Sequence, residues 1–231
     1  MPPGMLGSVA RFIVFEGGEA SGKSTQSVRL ARRLGALHTR EPGGTAIGAA
    51  LRELLLDART TGLDDRAEAL LMAADRAQHV VEVIRPALAA GRHVVSDRYI
   101  DSSLAYQGYG RGLPVAELRR LSAWAAADLW PDLVVLLDVP PGVAARRSGA
   151  APDRLEAAGE QFHDRVVRGY RALASTDAAR WVTVDGSAPP DEVEAAVWSA
   201  VVTRLPDLAT SGTSTPPPAP PPSANGDSAR S

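Results

Sequence analysis

The chain has 231 residues, 45% hydrophobic and 23% charged, with a formal net charge of −2. That is enough apolar material for one sizeable core, without the global basic field that gathers nucleic acid or anionic membrane. It holds no cysteine, which excludes disulfides, thiolate nucleophiles and zinc–thiolate sites and fits a reducing cytoplasm.

No apolar run reaches the roughly 18–20 residues that span a bilayer. Met1 to Ala10 lacks the basic start of a signal peptide and reads as an N-terminal extension. Arg11 to Glu16 is a short apolar run, rich in β-branched and aromatic residues, that reads as a buried strand. It runs into Gly17-Gly18-Glu19-Ala20-Ser21-Gly22-Lys23-Ser24 and Thr25, a match to the phosphate-binding pattern G-x-x-x-x-G-K-[ST]. From Thr25 to Leu34 the apolar residues Val28, Leu30, Ala31 and Leu34 fall at helical spacing. A strand, a glycine loop and a helix start form one unit whose backbone N–H groups and helix dipole suit a phosphate chain. In it Lys23 would reach the β- and γ-phosphates, and the Ser24 hydroxyl would ligate Mg²⁺. Lysine plus arginine total 25, and 24 of these are arginine. The single lysine is Lys23, where a compact point charge belongs between phosphates.

Ala36 to Thr39 reads as a second strand, leading into the loop Arg40-Glu41-Pro42-Gly43-Gly44-Thr45. Ile47 to Leu56 reads as a helix, and Arg66 to about Ala90 as a long one that Pro86 kinks. His93 to Ser96 reads as a third strand, running into Asp97-Arg98-Tyr99. Asp101 to Gly112 is polar, aromatic and glycine-bearing. A helix follows from Pro114 to about Asp128, and Leu133 to Asp138 is the clearest buried strand. Pro140-Pro141 starts a helix carrying Arg146 and Arg147, and Ser148 to Asp153 reads as a small mobile flap. A helix from about Glu156 to Ala174, a strand at Trp181–Val184 and a helix from Asp191 to Leu205 complete the pattern. The resulting expectation is an α/β fold: a P-loop NTPase-type parallel five-stranded sheet, helices on both faces and a short mobile lid at about 147–156. Residues 11–205 form this domain, and residues 206–231, rich in Pro, Ser and Ala, a disordered tail.

A P-loop alone does not separate kinases from ATPases or switch proteins. A kinase for a small phosphorylated acceptor holds two anionic ends face to face and needs cations beyond the loop, at strand ends and in a flap that excludes water. Arg40, Arg76 and Arg98 lie on or beside the site-forming segments, and Arg147 and Arg154 bracket the flap.

The strings Phe15-Glu16-Gly17, Gly22-Lys23-Ser24-Thr25-Gln26, Arg40 to Thr45, Asp97-Arg98-Tyr99 with Ser102-Ser103 and Ala105-Tyr106-Gln107-Gly108, and Asp153-Arg154-Leu155-Glu156 closely resemble bacterial thymidylate kinases. The resemblance covers about Arg11 to Leu205. It implies transfer of the ATP γ-phosphoryl to dTMP, with Mg²⁺, in a cytoplasmic homodimer that engages neither nucleic acid nor membrane. By the same resemblance residues 17–25 bind ATP, and Glu19 approaches the acceptor 3′-hydroxyl. Arg40 and Arg98 clamp the acceptor phosphate, and Asp97 with Ser24 organises Mg²⁺. Arg76 hydrogen-bonds the thymine O4 and Ser103 its N3 edge, Gln107 is a further dTMP-binding residue, and Tyr106 packs under the deoxyribose and crowds a 2′-hydroxyl. Arg147 flanks adenine and Arg154 closes onto the phosphates, with Lys23, Arg98, Arg147 and Arg154 as the catalytic cations.

Met72 stands where the family stacks a phenylalanine on the base, a softer contact. Which of Arg147 and Arg154 stabilises the transferring phosphoryl stays open. Alternatives to the main reading are a kinase for another nucleoside monophosphate or for thymidine, and a P-loop nucleotide-dependent switch protein. Tyr109, Tyr170 and Trp124 read as packing residues, and the four histidines as structural.

Overall fold

Phe12 and Val14 face one side of the first strand, Ile13 and Phe15 the other, and all four are buried. That period-two division recurs in every central strand, because a parallel sheet covered on both faces must bury alternate residues in two separate cores. In the computed structural model, which describes residues 9–147 and 153–210, the strands are β1 (Phe12–Glu16), β2 (Leu37–Arg40), β3 (Val94–Asp97), β4 (Leu133–Asp138) and β5 (Trp181–Asp185). They form one sheet in the order β2-β3-β1-β4-β5, every pair parallel.

The helices are α1 (Lys23–Leu34), α2 (Ala46–Leu56), α3 (Asp65–His79), α4 (Arg85–Ala89), α5 (Ile100–Ser103), α6 (Val115–Ala125), α7 (Pro141–Arg147), α8 (Glu160–Thr176) and α9 (Pro190–Arg204). One core lies under α1 and α9, where Leu30, Val193, Val197 and Val201 meet Ile13, Val135 and Leu137. The other joins Phe12, Val14, Val134 and Leu136 to Leu104, Phe162, Val166 and Tyr170.

Four expectations shift. The long helix toward residue 90 does not simply kink: it widens into a π-helical turn at Val80–Ile84 just before Pro86. Proline lacks the N–H for an i→i−4 bond and its ring crowds that carbonyl, so the preceding turn opens. The stretch after Asp101 is helical and largely buried, as α5 followed by π-helical turns at Leu104–Gly110. Gly159, at φ 93°, separates a short 3₁₀ turn at Glu156–Ala158 from α8, where the sequence suggested one helix. Residues 206–210, expected as the start of a disordered tail, are ordered: Pro206–Thr210 forms a 3₁₀ turn whose Leu208 is fully buried and whose Asp207 pairs with Arg11 at 2.9 Å. The N-terminal extension through residue 8, flap residues 148–152 and the tail from 211 lie outside the described residues.

The carboxyl ends of the strands line up. Phe15 and Arg40 both register with Asp97, Glu16 with Leu136, and Asp138 with Asp185. Ligands of such sheets bind beyond those ends.

Candidate active site

The glycine loop crosses directly above β1. A side chain at Gly17 (φ 150°) would strike the Leu137 carbonyl at 2.6 Å, and Gly22 (φ 92°) starts α1 from the left-handed region. α1 has no side-chain cap and no acidic residue in its first turn, so its leading N–H groups and positive dipole end are left for an anion. Lys23 is buried beneath the loop, with Nζ 2.7 Å from the Gly18 carbonyl and 3.4 Å from Ser21 Oγ. Burial, helped by the Arg98 charge, pulls its ammonium down to about 8 against the opposing pull of Glu19 and Asp97.

Arg98 occupies the left-handed backbone region (φ 71°), uncommon for a side chain of its size and typical of strain kept at a working site. Its N–H donates to the Phe15 carbonyl at 2.9 Å, and its own carbonyl accepts from Ser96 Oγ at 2.8 Å. The guanidinium donates to the Gly17 carbonyl (3.2 Å), Ser102 Oγ (3.3 Å) and the Tyr170 hydroxyl (3.0 Å) through Nη1. Through Nη2 it donates to Glu19 (2.8 Å) and the Tyr106 hydroxyl (3.0 Å). The Tyr106 hydroxyl also donates to Glu19. Burial works to raise the Glu19 carboxyl, but the charges of Arg98 and Lys23 and the Tyr106 bond win and hold it at about 2.

Behind Arg98 lies Glu16, wholly buried. Its Oε1 accepts from the backbone N–H groups of Tyr99 (3.0 Å) and Ser102 (3.1 Å). Its Oε2 accepts from Ser102 Oγ (2.6 Å) and the Tyr170 hydroxyl (2.9 Å), and those two hydroxyls are 2.8 Å apart. Burial, and then the charge of Asp101, raise this carboxyl to about 7, against the opposing pull of the Ser102 bond, the Arg98 charge and the Tyr170 bond. At the mouth, Ser24 Oγ donates to Asp97 Oδ2 at 2.5 Å, while Asp97 Oδ1 is buried without a partner among the described residues.

The other half of the site is prebuilt. Arg76, 2% exposed, donates to Glu41 (3.0 Å), Ser122 Oγ (3.3 Å), the Tyr99 carbonyl (3.2 Å) and Ser103 Oγ (3.0 Å). Glu41 also meets His79 Nδ1 at 2.9 Å, and His79 Nε2 lies 2.6 Å from Thr39 Oγ1. Burial and the neighbouring Glu41 push the Asp75 carboxyl up to about 6, although the Gly43 N–H donates to it.

A cleft of about 470 Å³ joins the two halves. Its lining includes the loop from Glu19 to Thr25, then Arg40, Met72, Arg76, Asp97, Arg98, Ser103, Tyr106, Gln107 and Arg147, so most of the residues singled out in the sequence come together here. Gly17 and Gly18 are not among its lining residues, and Gly18 lines the neighbouring cavity beside Leu137 and Tyr170. Arg147 is exposed and donates to the carbonyls of Gly186 (2.7 Å), Ser187 (2.9 Å) and Ala188 (3.4 Å).

Arg154 does not face the phosphate loop. Its guanidinium is held by Glu68 at 2.7 Å and the Leu55 carbonyl at 2.7 Å, outside the cleft lining.

Sequence reasoning missed Glu16, Glu41, Glu68, the polar role of Tyr170, and Arg52, which lines the cleft and donates to the Pro42 carbonyl at 2.9 Å. Glu16 and Glu41 stand inside strings the sequence did flag, and that was the available signal. Nothing local separates Arg52, Glu68 or Tyr170 from ordinary helix residues, because tertiary packing alone brings them to the site.

Residues 15–197 match the family model described as thymidylate kinase. The chain is 52% identical over 204 residues to the thymidylate kinase of Solidesulfovibrio magneticus, covering 82% of this chain and 98% of that protein. It is 51% identical over 206 residues to the thymidylate kinase of a Synechococcus strain, covering 87% and 98%. Among solved structures, the thymidylate kinase of Ehrlichia chaffeensis superposes with a TM-score of 0.71 at 31% identity, covering 83% of this chain and 98% of that one.

Proposed function

The chain belongs to the thymidylate kinase family and phosphorylates dTMP to dTDP with ATP, and from that premise we propose that the cleft binds the two nucleotides tail to tail and works by in-line transfer. The observation that carries this reading is that Lys23, Arg40 and Arg98, from three separate segments, line one cleft.

On the donor side the N–H groups of residues 17–25 take the ATP phosphates. Lys23 exchanges the Gly18 carbonyl for β- and γ-phosphate oxygens. Arg147 flanks the adenine beside the turn at residues 185–187. On the acceptor side Arg40 and Arg98 hold the 5′-phosphate, and Arg98 is pre-aimed by five hydrogen bonds. Arg76 and Ser103, with Gln107 and Met72, take the base. Glu19, kept ionised, accepts from the sugar 3′-hydroxyl, and Tyr106 packs under the deoxyribose. No general base is needed, because the attacking phosphate oxygen is already anionic.

The donor set fits magnesium: one hydroxyl and one carboxylate, both hard oxygens, with Asp97 Oδ1 unpartnered among the described residues. Ser24 and Asp97 would hold it, partly through water, and when bound it supplies positive charge against the phosphates. Measuring ADP release with dTMP, dUMP, dCMP, AMP and thymidine tests the reading. We expect dTMP first and thymidine poorest, since thymidine lacks the group that Arg40 and Arg98 hold. Preference for any other acceptor overturns it.

The proposal extends to a cytoplasmic homodimer. Among the described residues no helix is long and apolar enough to cross a membrane. Leu70, Val81 and Trp124 are 58%, 63% and 80% exposed on the packed pair α3 and α6 and the turn between α3 and α4. An apolar set of that kind suits a second copy of the chain. Sedimentation of Trp124→Glu beside the natural chain, with a shift to monomer expected, checks it.

A further inference from the structure

Glu68, on α3, is fully buried, and four hydrogen bonds converge on its carboxylate. Oε1 accepts from Gln107 Nε2 at 2.9 Å and Arg111 Nε at 3.3 Å. Oε2 accepts from Arg111 Nη2 at 3.1 Å and Arg154 Nη2 at 2.7 Å. Burial pushes this carboxyl up, but the bonds from Arg111, Gln107 and Arg154 outweigh it and hold it below the ordinary range. Arg154 is otherwise committed: Nε donates to the Leu55 carbonyl at 2.7 Å, and its backbone N–H to the Leu56 carbonyl at 3.0 Å. Arg111 lies over the Phe162 ring at 4.7 Å, and Phe162 meets Tyr106 edge-on at 6.0 Å. One carboxylate therefore joins α3 to the turns at Leu104–Gly110 and, through Arg154, to the end of α2.

Gln107 lines the cleft. A glutamine amide offers two donors on nitrogen and an acceptor on oxygen, and a carboxylate can engage only the nitrogen end. One Nε2 hydrogen is bound to Glu68, which fixes the orientation of the amide and leaves its oxygen, an acceptor, for a ligand beside the second Nε2 hydrogen. A pyrimidine whose ring N3 carries hydrogen satisfies it, and one whose N3 is a bare acceptor does not.

We infer that Glu68 is a specificity-setting positioning residue: it fixes the Gln107 amide with its oxygen toward the cleft, and Arg154 is its anchor and not a cation on the transferring phosphoryl. The inference rests on the proposed placement of the acceptor base beside Gln107. Discrimination then comes from an unmatched polar group, the mode in which a buried site rejects a wrong ligand most strongly.

The test is steady-state kinetics of the natural chain, Glu68→Gln and Arg154→Met with dTMP and with dCMP. In Glu68→Gln the amide at 68 can accept or donate, so Gln107 is free to turn over. The expected result is a fall of about tenfold in the dTMP-to-dCMP ratio of kcat/KM, carried by KM for the acceptor, with KM for ATP unchanged. Arg154→Met should shift the ratio in the same direction by a smaller factor, with kcat within about threefold. The double variant should be no worse than Glu68→Gln, because the two residues act as one unit.

An unchanged ratio in Glu68→Gln overturns the inference. So does a kcat loss of about a hundredfold in Arg154→Met with acceptor KM intact, the mark of a group acting on the phosphoryl. If Glu68→Gln fails to fold, Glu68→Asp keeps the charge but withdraws it from Gln107, and the same ratio decides. A natural chain that does not prefer dTMP would break the placement of the base itself. A normal preference that survives at position 68 breaks only this inference.

Discussion

In the phosphate half of the cleft, Arg98 is already held by five hydrogen bonds, but the other donors await a ligand. α1 begins uncapped, Lys23 rests on its own loop's carbonyl, and the Arg40 side chain makes no hydrogen bond or ion pair among the described residues. In the base half the order is reversed. Of the five donors of a guanidinium, Arg76 has four hydrogen bonds that already end on protein, and Glu41 and His79 complete a buried network behind it. Unsatisfied cations suit a group whose charge shifts during reaction, because their best interactions can be made in the transition state. A saturated network suits a flat ring that must be told from close relatives, because it cannot rearrange to accept the wrong one. Chemistry and selection are thus separated along a single cleft.

The largest effect that would sharpen this comparison is Lys23→Ala. It should cost about 10³-fold in kcat with little loss of melting temperature, since it removes transition-state charge from a site where the ammonium is costly to bury. A large fall in stability with kcat preserved would erase the distinction between the halves. Arg76→Met should behave the other way round. Acceptor KM should rise roughly tenfold or more, and stability should drop by about 3 kcal/mol, because Glu41 is left buried without its cation. Loss of kcat alone would put Arg76 in the chemical half.

A third test reaches the layer beneath Arg98. With the Glu16 carboxyl at about 7 in the folded chain and 4.5 as its ordinary value, the unfolded state gives up its proton first as pH rises. Stability from this group is therefore highest below about pH 4.5 and falls through pH 7, by about 3 kcal/mol in all. Denaturation midpoints of Glu16→Gln, measured beside the natural chain, should move in the variant's favour across that window. Parallel curves would show that Glu16 ionises normally. The smallest expected effect is Met72→Phe, which should change acceptor KM within a few-fold and leave kcat alone. An equal loss in kcat would join base stacking to chemistry.

The strands were legible because buried parallel strands are continuous apolar runs, as at Leu133–Asp138, where the expected and observed limits coincide. The phosphate loop was legible because its chemistry is local: glycines, one lysine and a helix start in adjacent positions. Residues 104–110 were not read as helix, because glycine, glutamine and tyrosine give no clean period and the wide turns are held by packing, above all against α8. Tyr170 looked like a packing residue and is one, edge-on to Tyr106 at 6.3 Å. Its hydroxyl reaches Glu16 across 154 positions of sequence, a contact no local pattern encodes. Arg154 carried a motif that suggested the phosphates, while its partner Glu68 lies 86 positions away.

The clasp between Arg11 and Asp207 has a practical side. Residues just before the first strand and just after the last helix are fastened together, and Leu208 plugs the core beside them. Trimming the protein back to Leu205 would uncork that lower core and unfasten both ends at once, whereas a cut after Thr210 spares the plug. Shortened versions made for crystals or fusions should respect that stop.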